Sequence, residues 1–150
     1  AAGPVANSIL TYSGSGDVTA SVTALPGPAV DATPGCEAGD FAGFPAGNIA
    51  LIQRGTCSFQ QKAENAAAAG AAGAVIFNQG DSEDRKGLMN ATLGDTYAGG
   101  IPVLFSTYDV GAGLAQTAGV QVRMVADVEE RLHDRVLKEL NRLVQVVRAW

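Results

Sequence analysis

Over residues 17–25 apolar and polar side chains alternate: Val18, Ala20, Val22 and Ala24 are separated by Thr19, Ser21 and Thr23. A period of two predicts a strand with one solvated face. Residues 8–12 (Ser-Ile-Leu-Thr-Tyr) read as another strand, and Ser13-Gly14-Ser15-Gly16 between them reads as the turn of a hairpin. At 48–53 and 74–78 the alternation gives way to continuous apolar runs, as expected of strands buried on both faces. Ser58 and Gln61 form a Ser-x-x-Gln capping box ahead of a helix over 63–72, whose Ala and Gly content allows close approach to a sheet. The default for such a strand–helix–strand unit is parallel pairing with a right-handed crossover. Residues 101–105 form a further strand, and Thr107 caps a short helix that runs through Ala118 and stops at Gly119. Val120, Val122 and Met124 then alternate with Gln121, Arg123 and Val125 in a closing strand. Residues 26–47, rich in Pro, Gly and Ala, read as a long ordered loop, and the aperiodic stretch 79–100 as a surface excursion.

From Asp127 the period lengthens. Leu132, Val136, Leu140, Leu143, Val144 and Val147 recur at spacings of three and four and lead to Trp150. Glu130, Arg131, Asp134, Arg135, Lys138 and Arg142 occupy the opposite face. This predicts an amphipathic helix over 127–150, opened by Asp127 and Glu130 in a relative of the capping box. Its apolar stripe needs a cover, since a lone helix of this length is marginal in water. Its own domain and a helix-mediated oligomer are both open as that cover.

Composition divides the chain at the same place. All 19 Gly and 6 Pro precede residue 127, and the net charge of -5 belongs wholly to residues 1–126. The last 24 residues carry five charges of each sign. No basic stripe is available to displace counterions from phosphates, which argues against a nucleic-acid partner. A neutral helix disfavours an anionic membrane surface, and no apolar run approaches the roughly 20 residues that span a bilayer. One His and two Cys cannot make an ordinary zinc site without several carboxylates, so neither a metal nor a cofactor is expected in this chain.

Cys36 and Cys57 stand 21 positions apart, one in the long loop and one just before the capped helix. Redox-active pairs usually sit closer, as Cys-x-x-Cys. A structural disulfide is preferred over two free buried thiols; it would contribute roughly 3 kcal/mol by loop closure and places the chain in an oxidising compartment. Around these cysteines run Gly35-Cys36-Glu37-Ala38-Gly39-Asp40-Phe41, then Asn48 to Gln53 followed by Arg54-Gly55-Thr56-Cys57-Ser58-Phe59. Next come Lys62-Ala63-Glu64-Asn65, the Ala-Gly run to Gly73, and Ala74 to Asn78, with Ile101-Pro102-Val103 further on. In this order the motifs resemble the protease-associated (PA) domain, over roughly residues 5–126, and most of all the insert of secreted bacterial zinc aminopeptidases. Secreted subtilisin-like proteases carry similar inserts and are the second choice of parent.

The resemblance implies an α+β, mainly β fold, a β-sandwich or open barrel flanked by two short helices, with the C-terminal helix appended. The expected organisation is a PA domain at 1–126 and the helix at 127–150, whether that helix is added, engineered or an unusual natural ending. The implied role is non-catalytic: gating substrate access, or binding peptide or protein segments, beside a parent peptidase domain that would carry the zinc. The implied location is secreted or cell-envelope, outside the cytoplasm. The alternative is a self-standing interaction module assembled through its C-terminal helix.

No catalytic residue is expected. His133 has only Glu129, Glu130 and Asp134 for company, and no Gly-x-Ser-x-Gly elbow is present. Asp81, Glu83 and Asp84 with Asn78 have oxygens suited to Ca²⁺, but Arg85 and Lys86 adjoin them and the spacing is not an EF-hand, so a solvated acidic loop is preferred. Asn90-Ala91-Thr92 fits a glycosylation acceptor. Arg54, Gly55, Thr56 and Phe59, at a strand end and a helix start, are the candidate peptide-binding residues, through backbone N–H groups and a guanidinium able to hold a carboxylate or carbonyl. The competing reading pairs Arg54 internally with Glu64 or Asp40, and makes Phe41, Phe44 and Phe59 core.

Overall fold

The structure, a computed structural model, describes residues 3–127 together with Val136 and Leu140. The elements are β1 (Asn7–Ile9), β2 (Gly16–Ala24), β3 (Ile49–Gln53), α1 (Phe59–Ala68), β4 (Gly73–Phe77), β5 (Val103–Ser106), α2 (Tyr108–Ala115) and β6 (Gln121–Ala126). Single 3-10 turns occur at Ala38–Phe41 and Glu83–Arg85. The six strands form one sheet in the order β1-β5-β4-β3-β2-β6, curled into a half-barrel. The fold is therefore mainly β with two short helices, as the resemblance implied. The helix expected over 127–150 lies almost wholly outside the described residues; Val136 and Leu140 are helical, and about half of each is exposed.

The centre of the sheet follows from the apolar runs. β3 and β4 pair in parallel from Ile49↔Gly73 to Gln53↔Phe77, and β4 pairs in parallel with β5. Side chains that alternate along these strands feed two cores. Ile49, Leu51, Val75, Phe77 and Leu104 line one face with Met124 and Ala126 of β6. Ala50, Ile52, Ala74, Ile76, Val103 and Phe105 line the other, beneath Ala63 and Ala66 of α1. A buried parallel centre covered on both faces is what continuous apolar strands require.

The expected hairpin does not form. β1 pairs with β5 at one edge of the sheet, while β2 pairs in parallel with β3 and antiparallel with β6 toward the other. The Ser-Gly-Ser-Gly segment is instead drawn along residues 100–103: the Ser13 hydroxyl accepts the Val103 N–H at 2.7 Å, and the Gly14 N–H donates to the Ile101 carbonyl at 3.1 Å. A side chain at position 14 would stand 2.1 Å from the Gly100 carbonyl oxygen, so the glycine serves a close crossing of backbones and not a reversal.

Two helix boundaries move: α1 runs over Phe59–Ala68 and not 63–72, starting directly after its Ser58 cap. Thr107 caps α2 by accepting the Val110 N–H at 3.2 Å, but the helix ends at Ala115, before Ala118. In the excursion after β4, Ala91 and Leu93 turn inward and are buried. The alternation in β6 holds, with Met124 buried and Gln121, Arg123 and Val125 exposed.

α2 approaches β4 closely at Gly111, where an added Cβ would stand 1.9 Å from the Phe77 ring. Replacement Gly111→Ala is expected to destabilise the fold by about 1–3 kcal/mol through overpacking. Urea unfolding of the variant beside the wild type measures it; equal midpoints would contradict so tight a contact.

Candidate functional site

Ser58 sets the orientation of α1. Its hydroxyl accepts the Gln61 N–H at 3.1 Å, and the helix then buries Lys62, Ala63 and Ala66. Only half of the expected capping box exists, because the Gln61 amide reaches away to donate to the Cys36 carbonyl at 2.6 Å. Lys62 donates through Nζ to the Pro34 carbonyl, and Asn65 through Nδ2 to the Gly35 carbonyl at 3.0 Å. Three side chains of one helix thus occupy three successive carbonyls of the long loop. Gly35 has a left-handed φ of 72°, a conformation open to glycine at little cost. The Cys36–Cys57 disulfide, with its Cα atoms 5.8 Å apart, ties the same loop to the residue before the Ser58 cap.

Lys62 is the unexpected member, an ammonium with no exposed surface. Its counter-charge stands in the loop above. Carboxylate oxygens of Asp31, Glu37 and Asp40 lie within 4.8 Å of one another, and all three attract the Lys62 charge. The loop already uses them: Asp31 accepts the Thr33 N–H at 3.0 Å, and Asp40 accepts the Glu37 N–H at 3.1 Å. The Thr33 hydroxyl lies 3.1 Å from Asp31 and 2.9 Å from Glu37. Burial pushes the Lys62 pKa down from 10.5 to about 8, and the three carboxylates hold it from falling further. The N–H of Thr33 lowers Asp31, whereas burial, aided by Glu37 and Asp31, raises Asp40. No other convergence of three or more His, Cys, Asp or Glu side chains fit for a cation occurs among the described residues.

The four residues singled out from sequence differ in their surroundings: Thr56 is exposed and the other three are half-buried. Arg54 donates through Nη1 to Asn78 Oδ1 at 3.2 Å, not to Glu64 or Asp40. The reason is register: the Arg54 N–H bonds the Phe77 carbonyl at 2.7 Å, which sets its side chain beside buried Asn78. Glu64 accepts from Gln60 at 3.1 Å instead. Gly55 lies against Pro34, Thr56 is exposed, and the Phe59 ring packs edge-to-face on Phe105 at 5.8 Å. Phe41 is buried and meets Phe44 edge-to-face, again at 5.8 Å. Asp81, Glu83 and Asp84 do not converge: Asp81 pairs with Arg85 at 3.2 Å, Glu83 with Lys86 at 2.8 Å, and Asp84 accepts from Ser82 at 2.6 Å. Asn90 is exposed, and His133 lies outside the described residues.

A family model, the PA domain, matches residues 18–114, a span that holds the disulfide loop, the β3–α1–β4 unit and most of α2. The chain belongs to the PA domain family. An aminopeptidase of Pseudomonas aeruginosa strain UCBPP-PA14 is 60% identical over 122 residues, covering 79% of this chain and 23% of that protein. Among solved structures, an aminopeptidase from Aneurinibacillus sp. strain AM-1 is 35% identical, with a TM-score of 0.63 over 79% of this chain and 26% of that one. A zinc aminopeptidase from Bacillus subtilis shares the fold at 24% identity, with a TM-score of 0.60 over 79% of this chain and 29% of that one. This PA domain chain thus spans about a quarter of the relatives it matches.

Lys62 and Asn65 were not expected at a site, and Gln61 was expected only in a capping box, although a signal existed. Phe59, Lys62, Ala63 and Ala66 follow the three- and four-residue spacing of an inward helix face, which places one lysine among apolar positions.

The lowered Lys62 pKa carries a pH signature. The folded PA domain releases this proton near pH 8 and the unfolded chain near pH 10.5. Between those values the unfolded state binds the extra proton, so the Lys62 contribution to stability rises with pH. Urea unfolding at pH 7.5 and pH 10 should show this rise in the wild type relative to Lys62→Met, by no more than about 3 kcal/mol. Equal pH dependence in the two proteins would place the ammonium in water.

Proposed function

We propose that this PA domain is the non-catalytic accessory part of a secreted zinc aminopeptidase, shaping substrate access or holding peptide or protein segments beside the catalytic domain. The observation that carries the reading is the 60% identity to an aminopeptidase of which the match covers 23%. The oxidised Cys36–Cys57 pair supports a location outside the cytoplasm. Residues 1–126 form the accessory domain in this reading, and 127–150 a separate helix. Zinc belongs to the parent enzyme.

An apolar groove of about 650 Å³ supports a protein-facing role. Val110 and Leu114 of α2, Val122 and Val125 of β6 and Val5 near the amino terminus line it, with Val5 and Val125 both exposed. Apolar side chains contiguous at a groove mark protein contact surfaces. Arg54, Gly55, Thr56 and Phe59 remain the candidate for a peptide carboxylate or carbonyl, and Thr56 is the exposed one of the four.

Assay of the full chain on aminoacyl-nitroanilides, with and without added zinc, should give no hydrolysis above buffer. Turnover with either addition would overturn the accessory reading.

A second reading rests on Val136 and Leu140, four positions apart in sequence, each helical and each about half exposed. On one helical stripe these are residues for a partner helix to cover. Sedimentation of the full chain against a 1–126 truncation should then give an assembly for the first and a monomer for the second. A monomer in both removes this reading.

A further inference from the structure

Lys62 does more than neutralise a loop, because of where the disulfide stands. Lys62 Nζ lies 3.9 Å from Cys36 Sγ, and both residues are buried. Cys57 is more accessible. The loop that carries Cys36 is held by Gln61, Lys62 and Asn65 through the carbonyls of residues 34, 35 and 36, so opening the S–S bond leaves that clamp in place. From the loop, Asp31, Glu37 and Asp40 face Lys62. α1 contributes neutral Gln61 and Asn65, and β3 brings the apolar Ile52 against Gly35.

We propose that Lys62 activates Cys36 for thiol–disulfide exchange, so that the Cys36–Cys57 bond closes and opens through a Cys36 thiolate paired with the Lys62 ammonium. The steps balance with a small-molecule disulfide as oxidant. The Cys57 thiolate attacks it and forms a mixed disulfide, releasing one thiolate. The Cys36 thiolate then attacks the Cys57 sulfur and expels the second. Two protein thiols are oxidised, one external disulfide is reduced, and two thiols leave. In reverse, one thiolate of a dithiol attacks the more accessible Cys57 sulfur, and Cys36 departs as the thiolate that Lys62 stabilises. The second thiolate of the dithiol then attacks its own sulfur joined to Cys57, closing the external disulfide and releasing Cys57. Attack depends on the thiolate fraction, and a leaving thiol of low pKa leaves faster, so one ammonium serves both directions. Cys36 is the resolving thiol in this pair, and Lys62 is a positioning residue that acts through it.

In the full chain carrying Cys57→Ser, Cys36 is the single thiol, and its ionisation is read by thiolate absorbance. The native protein should titrate at least about one unit below the free-thiol value near 8.5, and addition of Lys62→Met should return it to or above that value. A native titration at or above the value in denaturant overturns the proposal, as does a low value that survives Lys62→Met. A second measurement needs no mutation at cysteine. Closure of the wild-type mixed disulfide with glutathione, followed against pH, should show its inflection below the free-thiol range and run about threefold faster at pH 7 than in Lys62→Met, the gain in thiolate being partly offset by weaker nucleophilicity. Should Cys57→Ser or reduction unfold the loop, this profile falls at the free-thiol value and the proposal fails.

Discussion

A buried lysine holds the least regular part of this molecule. Loop residues 26–47 lie between β2 and β3 with no strand of their own, yet Pro34 and Cys36 are buried. Buried backbone carbonyls need partners, and here α1 supplies three, from Gln61, Lys62 and Asn65. Each depends on the helix facing the loop in one rotation, which Ser58 sets at its first turn. The covalent tie at Cys57 precedes that cap by one residue. Helix register, loop path and disulfide are therefore one constraint, and a cation beneath the loop is acceptable only because Asp31, Glu37 and Asp40 stand over it.

The sequence made the middle of the sheet legible and its edges much less so. Apolar runs, a serine cap and a small-residue helix are local signals, and they gave the β3–α1–β4 unit to within a few residues. The path from β1 to β2 depends on a partner some ninety residues away, where Val103 and Ile101 take up the polar groups of Ser13 and Gly14. Nothing within a Ser-Gly-Ser-Gly segment distinguishes a reversal from a crossing. The internal partner of Arg54 was misplaced for a related reason. Its partner follows from strand register, which brings Asn78 beside it, and no spacing along the chain encodes that neighbour.

The candidate site was visible in part. Cys36 and Cys57 were legible as a pair because few residue types are so rarely idle in a small domain outside the cytoplasm. Lys62 was hidden by its own chemistry, since lysine is almost never fully buried. A pattern that sorts residues into apolar and polar places it outside even when spacing places it inside. Its acidic partners were equally hidden: Asp31 and Glu37 belong to a segment with no periodicity, so only the three-dimensional path of the loop brings them together.

The electrostatics of that path also explain why the disulfide belongs where it is. Three carboxylates face one ammonium, an excess of negative charge, and burial, aided by Glu37 and Asp31, raises Asp40. A neutral disulfide adds nothing to this excess. A thiolate at Cys36 would add a fourth anion, 3.9 Å from the ammonium. Lys62 would then be drawn between Cys36 and the loop acids, and each would weaken the hold of the other on it. Oxidation removes that competition and leaves the ammonium, still on the Pro34 carbonyl, to the three carboxylates alone. An ammonium that stabilises the thiolate stabilises the reduced form, so it speeds exchange in both directions without favouring the S–S bond; the loop acids that compete for the same charge are what favour oxidation.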